Sequence, residues 1–170
     1  VASPLSSLVG VTGALGNCLV SGGWFNVVGW LGIIGLMLCV FFFRDPVRVT
    51  PLDSNLVISP ADGIIQQITL VSPPEELEMG KEEMLRISIF LSVFDVHVNR
   101  IPMNGEVTKL HYRQGKFFNA SLDKASIDNE RQSVKIRDEV NNREIAVVQI
   151  AGLIARRIVC SLKEEQEVKA

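Results

Sequence analysis

Leu85-Arg86-Ile87-Ser88-Ile89-Phe90-Leu91 sets apolar side chains at every second position over most of its length. A period of two sends alternate side chains to opposite faces, so this run predicts a half-buried β-strand. Similar runs lie on both sides of it. Ile64–Val71, Gly105–Tyr112, Gln132–Val140, Arg143–Ala151 and Ala155–Leu162 read as strands, and Val96–Arg100 as a short extended piece. In Gln132–Val140, the residues Val134, Ile136 and Asp138 share one side. Turn residues separate the runs: Ser59-Pro60-Ala61-Asp62-Gly63, Gln114-Gly115-Lys116 and Asn141-Asn142. Ser72 to Glu83, with two prolines and five glutamates, reads as a solvated loop. Asp123 to Glu130 reads as a helical turn or an irregular segment. About seven short strands with little helix predict a mainly β domain, a sandwich or barrel.

Charge divides the chain in two. Residues 1–43 contain no Asp, Glu, Lys or Arg, and every charged side chain falls in 44–170. The expected organisation is a hydrophobic membrane-anchor segment over 1–43 and a β-rich domain over 44–170, incomplete at its C-terminal end. Trp24 to Phe43 is an unbroken apolar run of about the ~20 residues needed to cross hydrocarbon as a helix. Trp24 and Trp30 lie near its start as interfacial aromatics, and Gly29, Gly32 and Gly35 form a small-residue stripe. Arg44 and Arg48 follow its end, which predicts an inner-membrane protein with its globular part facing the cytoplasm. Leu5 to Val20, apolar but rich in Gly and Ser, is either the other arm of a hairpin or an interfacial piece. A start at Val1 instead of Met is expected of a fragment.

Cys18, Cys39 and Cys160 have no metal-ligand spacing and read as small apolar fillers. A net charge of −2 carries no nucleic-acid signature. The chain has no Gly-rich phosphate loop and no serine in a nucleophile elbow.

Two positions could carry chemistry. In Phe94-Asp95-Val96-His97-Val98-Asn99-Arg100-Ile101-Pro102, alternation puts Asp95, His97 and Asn99 on one face of an extended segment. An imidazole near a carboxylate builds a tuned acid or base. A histidine satisfied by a neighbour at a sheet edge fits the same spacing. Asp62, between Ala61 and Gly63, is either a turn aspartate or a second carboxylate for the site. His111, beside Tyr112, reads as structural.

The order of these segments resembles the phosphatidylserine decarboxylase proenzymes of the short bacterial and archaeal type. The carrying motifs are Phe42-Phe43-Arg44-Asp45-Pro46, Ser59-Pro60-Ala61-Asp62-Gly63 and Phe94 to Pro102. Gly115-Lys116-Phe117-Phe118-Asn119-Ala120, Asn129-Glu130-Arg131 and Gln149 to Val159 complete the set. The resemblance implies a carboxy-lyase of phospholipid biosynthesis that converts phosphatidylserine to phosphatidylethanolamine. It implies a covalent pyruvoyl cofactor, made when a serine in a Gly-Ser motif attacks the preceding carbonyl and the chain splits. The α subunit, a partner, then carries the pyruvoyl ketone, which forms a Schiff base with the amine of phosphatidylserine in the membrane. Covalent catalysis of this kind divides one hard step into easier ones. The resemblance draws His97 as base and proton donor, Asp62 as orienting carboxylate and Asp95 as a tuning group.

Two departures stand out. The longer branch of the family has a second histidine three residues after the first, where this chain has Arg100. No Gly-Ser dipeptide occurs in the 170 residues, so the pyruvoyl-forming serine is expected beyond Ala170. The expectation is a β-subunit portion, a truncated fragment inactive alone, or a defective copy. A membrane-tethered carrier or binding module similar to lipoyl barrels is the competing reading. A homo-oligomer is left open. Phe117-Phe118 reads equally as a core pair or as a loop that enters the membrane interface.

Overall fold

The computed structural model describes residues 26–51, 53, 55–118, 128–138 and 140–170. The expected segment Leu5–Val20, Trp24, and most of the turn read over 123–130 lie outside the described residues. The chain divides between Phe43 and Arg44 into two units.

In the first unit, residues 26–42 are helical, and the side chains of 26–41 are exposed. At ~1.5 Å per residue this helix is about 25 Å long, short of the ~30 Å hydrocarbon thickness. Among the described residues, no helix is long and apolar enough to cross a membrane. The expected spanning anchor over 24–43 is therefore not supported.

Among the described residues, the second unit holds six strands in two antiparallel sheets. Strands β1 (Ile64–Val71) and β2 (Met84–Phe90) form a two-stranded ribbon. Gly63 opens β1 with φ of +148°, and a side chain there would overlap the Phe90 carbonyl. The second sheet has the order β5-β4-β3-β6, with β3 Gly105–Arg113, β4 Arg131–Asp138, β5 Arg143–Ile150 and β6 Gln166–Val168.

Strand β4 lies inside this sheet, and its period of two does what the sequence predicts. Val134 and Ile136 join Val107, Met103 and Val168 in the buried core. The opposite face of β4 is covered too. Glu76, in the 3-10 turn Glu75–Leu77, accepts a hydrogen bond from Ser133 Oγ at 2.9 Å and pairs with Arg131 at 2.8 Å. Leu77 of the same turn is fully buried. Asp138 closes the β4–β5 hairpin by accepting from Arg143 Nη2 at 2.9 Å and Asn141 Nδ2 at 2.7 Å. Asn142 takes the left-handed position at φ of 49°, a conformation asparagine tolerates.

The expected mainly β class holds, with six strands in two antiparallel sheets among the described residues. One expectation needs correction: Ala155–Leu162 is not a strand, and residues 166–168 form β6 beside β3. In 152–158 backbone groups bond locally or to a side chain instead of to a partner strand. Gly152 N–H donates to Ala155 at 2.9 Å, Leu153 C=O accepts from Arg156 Nε, and Ile158 N–H donates to Glu130.

Candidate active site

The His97 segment is built by a backbone ladder that prolines interrupt. Arg100 N–H donates to Pro60 C=O and Ile58 N–H donates to Pro102 C=O, both at 2.8 Å. In an antiparallel ladder, residues 60 and 100 and residues 58 and 102 would each exchange two bonds. Pro60 and Pro102 have no N–H, so each pair keeps one. The ladder brings the Asp62 turn alongside the segment that carries His97.

Asp95 sits in a tight turn before His97. Its N–H donates to Ser92 C=O at 3.0 Å, and its carboxylate accepts from Ser92 N–H at 2.7 Å. That bond from Ser92, with the charges of His97 and Arg44, holds the Asp95 carboxyl below the usual carboxylate range. The backbone carbonyl of Asp95, not its carboxylate, meets His97 Nδ1 at 3.0 Å. A carbonyl can only accept, so Nδ1 is the donor and Nε2 is the nitrogen left to exchange a proton. Val96 is buried at 4% exposure and fixes the segment between these two residues.

Asp62 is placed differently. Its carboxylate is ion-paired with Arg48, and both side chains are roughly half exposed. The structure thus joins His97 to Asp95 and gives Asp62 to Arg48. Arg48 is one of three arginines around the segment. Arg44 Nη2 donates to Phe94 C=O at 2.7 Å. Arg100 Nη2 is ion-paired with Asp45 and donates to Pro46 C=O at 2.7 Å. The Arg44-Asp45-Pro46, Ser59–Gly63 and Phe94–Pro102 motifs, far apart in sequence, therefore converge. Among the described residues, no group of three His, Cys, Asp or Glu side chains is placed to hold a metal ion.

A second polar cluster gathers the other three motifs at one end of the four-stranded sheet. Asn129 is fully buried. Its Oδ1 accepts from Phe118 N–H at 2.8 Å, and its Nδ2 donates to Phe118 C=O at 2.8 Å and to Ala151 C=O at 2.7 Å. Glu130, 5% exposed, accepts from Ile158 N–H at 2.9 Å through Oε1. Its backbone carbonyl accepts from Ala151 N–H at 2.9 Å. Lys116 and Asn129 form an isolated parallel bridge, and a side chain at Gly115 would overlap the backbone of Asp128 and Asn129. Phe117 and Phe118 are 39% and 40% exposed, so they are not core residues. The sequence signal for Asn129 was a motif match alone. Nothing in its spacing marks it as a buried clamp.

Residues 36–170 match the family model described as phosphatidylserine decarboxylase. A phosphatidylserine decarboxylase proenzyme of Rickettsia bellii is 60% identical over 143 residues, 84% of this chain and 62% of that protein. The proenzyme of Rickettsia typhi is 59% identical over 142 residues, 84% of this chain and 61% of that protein. That of Paramagnetospirillum magneticum is 55% identical over 157 residues, 92% of this chain and 65% of that protein. The chain spans less than two thirds of the length of these curated relatives. With six ordered motifs gathered into two clusters and a family match over most of its length, the chain belongs to the phosphatidylserine decarboxylase family.

Proposed function

We propose that this chain supplies the His97-bearing part of an enzyme that removes carbon dioxide from the serine head group of phosphatidylserine. The product is phosphatidylethanolamine, and the cofactor is a pyruvoyl group on an α subunit. The observation that carries the reading is the convergence of the Arg44–Pro46, Ser59–Gly63 and Phe94–Pro102 motifs around His97.

The residues beside His97 suit a small uncharged keto-amide. His97 Nδ1 donates to the Asp95 carbonyl, which orients the ring. His97 is the side chain that would hold such a group. When present, the pyruvoyl carbonyl supplies the electrophile and the electron sink for loss of carbon dioxide.

The chain's own residues then manage protons and position. His97 Nε2 takes a proton from an attacking hydroxyl during self-cleavage and gives one to carbon after decarboxylation. Asp95 C=O keeps Nδ1 protonated and the ring oriented. Asp62 serves as orienting carboxylate by releasing Arg48 and taking the Nδ1–H that Asp95 C=O accepts in this structure. Arg100 occupies the place of the longer branch's second histidine, and a guanidinium cannot act as a base. His97 therefore serves both steps.

Residence at the cytoplasmic face of the inner membrane completes the reading. Arg44 and Arg48, just after the apolar run, support that reading by the preference of basic residues for the cytoplasmic side.

The test is expression of the full reading frame that encodes this chain. The protein should split into two pieces on a gel and form phosphatidylethanolamine from phosphatidylserine vesicles. Hydroxylamine, which attacks ketones, should abolish product formation, and His97→Ala should block the split. Activity that survives hydroxylamine contradicts the pyruvoyl group; splitting in His97→Ala contradicts the role of His97.

A further inference from the structure

We infer that Asn99 is a substrate-binding residue of this site, its side-chain carbonyl receiving an N–H of the serine head group's amine. This rests on the decarboxylase reading for the identity of the amine, but not for the existence of a site.

Asn99 Oδ1 is buried and has no hydrogen-bond partner among the described residues. A buried amide oxygen left unpaired is costly, so native chains seldom keep one without a use. The position of this one is not accidental. It lies two residues after His97, and in an extended segment residues two apart share a face. The backbone on either side is pinned by the Asp95–His97 contact and by the Arg100–Pro60 bond.

The chemistry selects an amine donor. Asn99 Oδ1 is an acceptor, so it discriminates for N–H or O–H and against carboxylate and phosphate oxygens. It is also uncharged. A carboxylate in its place would hold an ammonium ion in its protonated form, which cannot attack a carbonyl. A neutral acceptor orients the amine and allows it to lose its proton. The nearby carboxylates are engaged elsewhere, Asp95 with Ser92, Asp62 with Arg48 and Asp45 with Arg100.

The experiment uses the protein from the full reading frame, as wild type, Asn99→Leu and Asn99→Asp. Leucine has a similar shape and removes the orphan, so the melting temperature should stay level or rise. kcat/KM for phosphatidylserine should fall at least 10-fold, chiefly through KM, and self-splitting should remain. Asn99→Asp should shift the rise of activity with pH upward, because it stabilises the ammonium form. In a parallel titration with glycerophosphoserine, the Asn99 side-chain amide signal of 15N-labelled wild type should move. That shift without decarboxylation would keep the site and defeat the enzyme reading. Wild-type kcat/KM in Asn99→Leu would overturn the inference and leave the enzyme reading intact. So would a drop in melting temperature that accounts for the lost activity, or an unmoved amide signal. A loss of splitting with normal substrate binding would assign the donor to the chain itself and also overturn it.

Discussion

The two polar clusters of this chain are built in opposite ways. Around His97, arginines and aspartates pair at the surface: Arg48 with Asp62, and Arg100 with Asp45. Around Asn129, an amide and a carboxylate inside the protein bind backbone groups of two loops. Exposed ion pairs are worth little and exchange partners easily. Buried amide bonds have no water to replace them and are costly to lose. The first cluster can therefore rearrange as substrate or another part of the protein arrives, whereas the second can only hold. Chemistry and scaffold have been divided between two kinds of hydrogen bond.

Substitutions at each cluster test this division. Asn129→Ala removes three hydrogen bonds and strands the Phe118 and Ala151 backbone groups. It should lower unfolding stability by about 3 kcal/mol or more, read from urea midpoints. A loss below about 1 kcal/mol would show that water replaces the clamp. Gly115→Ala forces a side chain against the Asn129 backbone, and should cost about 1–3 kcal/mol by the same assay. Asp45→Ala frees Arg100 at the surface cluster and should cost no more than about 1 kcal/mol. A larger loss there would erase the contrast, because the surface network would then be scaffold as well.

The smallest effect concerns acid. The Asp138 carboxyl is pushed down to about 2 by the hydrogen bond from Arg143 and by Asn141. Its ordinary value is ~3.9. A lowered folded-state value adds stability that is full above the ordinary value and lost as pH falls through it toward about 2. Asp138→Asn should therefore flatten the acid limb of the stability curve in that window and leave stability less dependent on pH.

These regions also differ in how legible they were. The alternation of β4 was readable because Val134 and Ile136 really do face one core. The β4–β5 turn was readable because Asn142 takes the left-handed position. The ladder holding His97 was not readable as paired strand, because prolines at 60 and 102 remove half its bonds. The 155–162 run resembles a strand in composition, yet Glu130 and local bonds near its start take groups that a partner strand would need. Strand β6 is three residues long, two of them polar and exposed, too little for a periodic signal. His97 was found from its neighbours. Its contact with the Asp95 backbone instead of a carboxylate depends on the turn at Ser92, which spacing alone does not specify.

The central claim is that the His97 cluster does the chemistry while contributing little to the fold. The most direct measurement is phosphatidylethanolamine formation by protein in which the pyruvoyl-bearing α subunit from processed wild type is recombined with the His97→Gln β subunit, with the melting temperature taken on the same sample. The account predicts a rate at least ~100-fold below wild type and an unchanged melting temperature. A wild-type rate, or a loss of rate matched by a loss of folded protein, would contradict it.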